Sequence, residues 1–223
     1  VCRRLALDIE TNFYYMQIAL FITGTDTDVG KTHVACQIIK QYVAQGLKVI
    51  GMKPVAAGCE LVNGEWVNED VQKLTTASNV SAPAELVNPY CFKQYIAPHL
   101  AAEKAGVTIG LAKITQAYEQ LATMADVVIV EGAGGFLVPL NNQVSLADLA
   151  ETLAIPVILV VGMRLGCINH SLLAAEAIKA RSLTLHGWVA NHIDPEMELR
   201  EENIQTITGQ LGLSPLFESD WVE

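Results

Sequence analysis

GTDTDVGKT, residues Gly24 to Thr32, stands between the apolar run QIALFIT (Gln17 to Thr23) and a stretch of helical periodicity from Thr32 through Ala44. Strand, glycine loop and helix in that order put a row of backbone N–H groups at a helix N-terminus, where they can cradle phosphate oxygens. Lys31 then faces the β- and γ-phosphates, and the Thr32 hydroxyl falls where a hard divalent cation seeks oxygen ligands. Five residues separate Gly24 from Gly30, whereas the usual phosphate loop has four, so Thr25 occupies the place of the first glycine. The competing reading is a glycine turn that only caps a helix; the strand before it and the helix after it favour phosphate binding.

Outward from the loop, the alternation of strand and helix continues. Gly46 closes the first helix, LKVIGMK forms a second strand and KPVAAG a loop at its carboxyl end. Asn68 to Thr76 reads as a helix capped by Asn68 with acidic residues in its first turn. Residues 79–107 carry scattered Pro, Asn and Gly and read as irregular. A helix follows over Thr108 to Met124, then the buried strand and glycine loop DVVIVEGAGG, a helix over Leu146 to Leu153 and the buried strand IPVILVVG. CINHSLLAAEAIKARS supplies a helix, LHGWVANHI a last strong strand, and Glu196 to Leu211 a terminal helix. The pattern predicts an α/β fold: a single domain with a doubly wound, mostly parallel sheet, helices on both faces, and ligands beyond the carboxyl ends of the strands, as in P-loop NTPases.

Composition sets limits on partners. A formal charge of -10 without a Lys/Arg cluster repels phosphate polymers and anionic lipid, which argues against nucleic acid and membrane surfaces. No uncharged apolar run reaches membrane-spanning length; Ile155 to Gly162 is too short. The five cysteines show no C-x-x-C or C-x-x-H spacing and read as ordinary thiols in a reducing, cytoplasmic setting. Residues 1–15 read as an N-terminal extension ahead of Met16, leaving 16–223 as the domain.

Three further residues belong to the same sheet edge. Glu131 ends the strand of DVVIVEGAGG, where a carboxylate can bind magnesium or can stand in solvent as an ordinary polar strand end. Lys53 follows the second strand and either aims a fixed ammonium at the phosphates or lies on the surface. Asp70 either joins the metal or complements the dipole of its own helix. The residues alone leave these alternatives open.

GTDTDVGKT, MKPVAAG, VNPYCF, VIVEGAGGF, PVILVVGMRLGCINH and GWVAN, in this order from Met16 to Asn191, resemble the motif set of the dethiobiotin synthetases. The resemblance implies a magnesium-dependent, homodimeric ligase that uses ATP, CO2 and diaminopelargonic acid to close a ureido ring. It further implies that Lys53, Lys31 and Thr27 act at the reacting groups and that Thr32, Asp70 and Glu131 hold the metal. Asp28, Val29, Gly30, Lys31, Thr32 and His33, with Glu131, Gly132, Ala133 and Gly134, match nucleotide-binding segments. Asn191 matches the residue that reads adenine, followed by His192 where the family often has aspartate, and Asp220 and Trp221 flank the adenosine. Leu165, Gly166, Cys167, Ile168 and Asn169 match the segment that holds the substrate carboxylate at a helix N-terminus and reaches the neighbouring subunit's site. Ala57 stands near the substrate where the family often has serine. A P-loop switch ATPase is the rival of a different class; its lysine early in the loop is missing from GTDTDVGKT, and a basic amphipathic tail is missing from the sequence. An amidase-type synthetase of cobalamin assembly shares the loop but needs an added glutamine-hydrolysing domain.

Overall fold

The computed structural model describes residues 17–220; the expected extension over 1–15 and Trp221 lie outside them. Six strands form one fully parallel sheet: β1 (Ile18–Gly24), β2 (Val49–Met52), β7 (Val127–Gly135), β8 (Val157–Gly162), β9 (Leu185–His192) and β10 (Glu218–Asp220). Their spatial order is β10-β9-β8-β1-β7-β2. The chain leaves β1 toward one edge, through α1 (Lys31–Ala44) to β2, and later builds β8, β9 and β10 on the other side. The carboxyl end of β1 therefore lies at the reversal of strand order, where an open α/β sheet leaves a crevice.

Alternate residues of each strand point to opposite faces, and both faces are covered. Leu20, Ile22, Ile129, Ile158 and Val160 pack with Val34, Ile38 and Ile39 of α1 and with Leu74 of α2 (Glu69–Ala77). On the other face Phe21, Val128 and Val130 meet Ile114, Ala117 and Leu121 of α5 (Leu111–Met124) and the apolar side of α6 (Leu146–Leu153). Leu159, Val161 and Trp188 pack under α7 (Cys167–Ala180) and α8 (Arg200–Leu211). This double covering explains why β7 and β8 read as continuous apolar runs.

Several elements differ from expectation. KPVAAG contains a short strand, β3 (Val55–Ala57), and the segment behind it forms the hairpin β4 (Glu60–Val62) and β5 (Glu65–Val67). Asn63 and Gly64, at φ 53° and 89°, make its two-residue turn, a hairpin signature that is plain in the sequence. Residues 79–107, expected to be irregular, hold α3 (Ala84–Val87), β6 (Tyr90–Phe92) and α4 (Pro98–Lys104). These pieces are too short for any periodicity to register. The last helix starts at Arg200, not Glu196, because Leu199 at its N-cap takes a left-handed φ of 53°. The helix expected from Thr108 starts at Leu111.

The expectation of five ordinary thiols fails for Cys59 and Cys91, which form a disulfide. Pairing of β3 with β6, with Ala56 opposite Cys91, brings together two cysteines that are 32 residues apart in sequence. An odd total says nothing about a single pair chosen by tertiary register. Cys36 and Cys167 are free.

Candidate active site

Lys53 is the centre of the site. The side chain of this lysine is buried, 4% exposed as a residue, and its ammonium donates to Glu131 Oε1 at 2.5 Å, to Asp70 Oδ2 at 3.0 Å and to the carbonyl of Gly132 at 3.4 Å. Burial works against the charge of Lys53, but the coulombic pull of Glu131 and then of Asp70 outweighs it and raises the pKa above the usual lysine value. Asp70 is correspondingly lowered: burial opposes ionisation, and the charge and hydrogen bond of Lys53 overcome that opposition. The surface-lysine and solvent-facing-Glu131 alternatives are thereby removed.

The backbone around these groups is held by Val87 and Asn88, which sequence reasoning passed over, and by Asn68, the expected cap. Lys53 donates its N–H to Val87 O at 2.9 Å and accepts at its carbonyl from Asn88 Nδ2 at 2.6 Å. Part of the region 79–107 therefore serves to clamp the lysine. Asn68 caps α2 through Asp70 N and Val71 N, while its amide donates to Ala57 O at 3.1 Å, so the cap also ties Asp70 to the end of β3.

In the phosphate loop, Gly24 admits no side chain, since a Cβ there would stand 2.6 Å from Val29 Cγ2 and 3.1 Å from the carbonyl of Asp26. Gly30, at φ 83°, turns the chain into α1. Thr32 Oγ1 donates to Glu131 Oε1 at 2.8 Å. Lys31 Nζ donates to Asp26 O at 2.8 Å, and its pKa is lowered to about 8, first by burial and second by the neighbouring charge of Lys53. Asp26, absent from the expected set, accepts from Thr27 N through Oδ1 at 2.8 Å and from Arg164 Nη2 through Oδ2 at 2.6 Å. Arg164 thus joins the phosphate loop to the segment that begins α7.

A cavity of about 1370 Å³ opens over these groups. Its walls bring together Thr27, Asp28, Gly30, Lys31, Thr32, His33, Lys53, Ala57, Asp70, Glu131, Ala133 and Gly134. Val55, Ile96 and Val138 give it an apolar side, and Tyr95, unforeseen, stands at its mouth. Gly132 enters only through its carbonyl on Lys53, and Val29 is buried behind the loop.

Asn191, His192 and Asp220 gather elsewhere, at the carboxyl ends of β9 and β10, where Ser219 pairs with Asn191 and Asp220 with His192 in register. Asn191 is fully buried; its Nδ2 donates to Val29 O at 2.9 Å and its Oδ1 has no partner. His33 reaches the same corner, with Nε2 3.0 Å from Ser219 Oγ. His192 Nε2 lies 3.0 Å from Glu218 Oε2. Leu165, Gly166, Cys167, Ile168 and Asn169 do not line the cavity of their own chain: Leu165 is 95% exposed, and Gly166 caps α7 at φ 96° without a side-chain partner.

The donor set fits magnesium. Glu131 Oε2 is buried with no hydrogen-bond partner, an expensive state for a carboxylate oxygen unless a cation meets it. Two carboxylates and a hydroxyl, with phosphate oxygens completing the shell, are the oxygen ligands this hard cation takes. Among the described residues no three His, Cys, Asp or Glu side chains gather as a metal group.

A family model described as an AAA domain matches residues 19–217. The chain is 54% identical over 189 residues to a protein of Aromatoleum aromaticum named ATP-dependent dethiobiotin synthetase BioD, covering 85% of this chain and 84% of the relative. A protein of the same name from Nitrosospira multiformis is also 54% identical, over 191 residues, with 86% and 83% covered. Among solved structures, a ParA family ATPase from Chlorobium tepidum superposes with TM-score 0.55 at 13% identity over 93% of this chain and 86% of that one. MinD of Aquifex aeolicus gives 0.54 at 16% identity, with 90% and 81% covered. At such identities these two structures establish the parallel α/β fold and nothing finer. Among the described residues no helix is long and apolar enough to cross a membrane.

Proposed function

The chain belongs to the ATP-dependent dethiobiotin synthetase family, and from that premise we propose how its cavity performs the synthesis. Diaminopelargonic acid, CO2 and ATP give dethiobiotin, ADP and phosphate. One amine of the substrate takes up CO2 as a carbamate. A carbamate oxygen then receives the γ-phosphoryl group, and the second amine attacks the carbonyl carbon, expelling phosphate and closing the ureido ring.

Each step needs neutralisation of oxygen charge and close placement of reactants, and no nucleophilic side chain. The observation that carries the reading is Lys53, buried between Glu131 and Asp70 within hydrogen-bond reach of both. Its ammonium stands at the position of a cation between two carboxylates. Magnesium, held by Thr32, Asp70 and Glu131, would supply charge neutralisation on the transferring phosphoryl group. Lys53, in the lining of the cavity, would neutralise charge on the carbamate and the phosphoryl oxygens, and Lys31, on the Asp26 carbonyl, would serve the β- and γ-phosphates. Thr27, beside Gly134 in the cavity lining, hydrogen-bonds substrate oxygens. The apolar side formed by Val55, Ala57, Ile96 and Val138 suits the alkyl chain of the diamino acid, with Ala57 contributing contact where a serine would contribute a hydrogen bond.

At the other corner, Asn191 Oδ1 is a buried acceptor available to the exocyclic amine of adenine, with Asp220 and His192 beside it. In this reading the N-terminus of α7 holds the substrate carboxylate in a second copy's site and the working unit is a homodimer, which the exposure of Leu165 beside the Gly166 cap supports. A cytoplasmic setting is supported by the family alone, since the Cys59–Cys91 disulfide removes the argument from five ordinary thiols.

The test is incorporation of radiolabelled bicarbonate with diaminopelargonic acid, ATP and magnesium. Label recovered in dethiobiotin, in proportion to phosphate released, is expected. ATP hydrolysis without label uptake would overturn the reading.

A further inference from the structure

We propose that Tyr95 is a positioning residue of the phosphate loop, holding its Asp28 corner from the wall of the cavity opposite the sheet. The inference rests on the reading of this cavity as the site of ATP-dependent synthesis. On the sheet side, Thr25 N donates to Val160 O at 3.0 Å, Asp26 is tied to Arg164, and Val29 O accepts from Asn191 at 2.9 Å. Between these anchors Asp28 bends the loop at φ 55°, in the left-handed region that aspartate enters more readily than most residues but still at some cost. Among the described residues, Tyr95 is the one side chain that hydrogen-bonds the Asp28 carboxylate: its hydroxyl donates to Oδ1 at 3.2 Å.

Tyr95 itself stands on a braced base. Gln94 O accepts from Gly58 N at 3.1 Å, and the Cys59–Cys91 disulfide joins the two sides of that base. The ring lies over Gly58, where an added Cβ would stand 2.9 Å from Tyr95 Cδ2. Pro98, at the first turn of α4, stiffens the exit from the Tyr95 loop. The ring is nonetheless 71% exposed, so its burial explains little about its place. What its position achieves is a bridge across the cavity mouth, from the β3–β6 wall to the bend that precedes Gly30 and Lys31. A hydrogen bond to a charged acceptor is stronger than one between neutral groups, and one that holds a strained corner acts on the ligand the corner must fit.

The experiment compares wild type, Tyr95→Phe, Asp28→Gly, which removes the acceptor and tolerates the positive φ, and the double variant. Tyr95→Phe keeps the ring on Gly58, so circular dichroism and the melting temperature are expected to stay unchanged. Calorimetric titration with a non-hydrolysable ATP analogue and magnesium, with no amine present, should show affinity reduced roughly 3- to 10-fold in each single variant and no further in the double one. The KM for ATP should rise in step while the KM for the diamino acid stays put. Unchanged nucleotide affinity in Tyr95→Phe, additive losses in the double variant, or a loss confined to the diamino acid would each overturn the inference. Because binding is read without the amine, a wild type that binds nucleotide yet forms no dethiobiotin would sink the proposed function and leave the Tyr95 measurement standing.

Discussion

Replacing Lys53 by glutamine tests the site at two levels. The ammonium makes three hydrogen bonds, and its strongest partner, Glu131, has a side chain with no exposure, whereas the Asp70 side chain is 40% exposed. Removing one partner of a buried ion pair costs about 3–5 kcal/mol, because the other charge is left uncompensated. The Asp70 share is screened by solvent and adds little, and the glutamine amide can still donate once to Glu131, so we expect a loss of about 3 kcal/mol. For a chain of this size that corresponds to a melting temperature lowered by roughly 6–12 °C. The loss should appear in full in EDTA and shrink in magnesium, since the variant admits the cation between Glu131 and Asp70 without displacing an ammonium. Magnesium should therefore stabilise Lys53→Gln more than wild type. Turnover should fall about 10²- to 10³-fold, the scale of losing one preorganised charge at a transition state, with nucleotide still bound. Differential scanning calorimetry in the two buffers and product assays read both effects. A midpoint within about 2 °C of wild type in EDTA, equal magnesium shifts, or near-normal turnover would refute the reasoning.

Further outcomes follow from other parts of the molecule. Asn191→Asp cannot donate to Val29 O, so it should weaken ATP binding about 10-fold or more and erode discrimination against GTP, read by competition titration. Gly162→Ala would put its Cβ 2.8 Å from Val29 Cγ1 and 2.6 Å from Ile193 Cδ1; it should cost about 1–3 kcal/mol in urea unfolding and raise the KM for ATP. Asp148 has its pKa lowered to about 2, first by the hydrogen bond from Ser145 and then by Arg181. A depressed carboxylate contributes stability above its unfolded value near 3.8 that is lost as pH falls toward about 2. Asp148→Ala should therefore destabilise the protein by about 1 kcal/mol at pH 7 and flatten the acid limb of a stability-against-pH curve in that window. Reducing Cys59–Cys91, which lie 32 residues apart, should lower stability by up to ~4 kcal/mol on loop-entropy grounds, with two more thiols titrated after reduction than before it.

Some of this architecture was legible because it depends on short-range pattern. The run Gln17 to Thr32 specifies strand, phosphate loop and helix locally, and the apolar segments of β7, β8 and β9 are long enough to read without their neighbours. Thr32, Lys53, Asp70 and Glu131 come together as expected because Thr32 and Asp70 lie in the first turns of α1 and α2, Lys53 directly follows β2, and Glu131 stands within β7, between β1 and β2. The segment 79–107 stayed illegible since three short elements, among them a three-residue strand, draw their stability from β3 and from Lys53, not from their own periodicity.

The sequence by itself thus determined the fold class, the phosphate loop and the identity of the charged groups, because these depend on local spacing and on strands buried on both faces. Tertiary structure alone decided that Lys53 lies between Glu131 and Asp70, that Asn191 braces Val29, that Arg164 and Tyr95 hold the loop, and that Cys59 meets Cys91. Those pairings join residues between 17 and 162 positions apart. Which partner meets which depends on strand order and register, and no property of either residue's own neighbourhood encodes it.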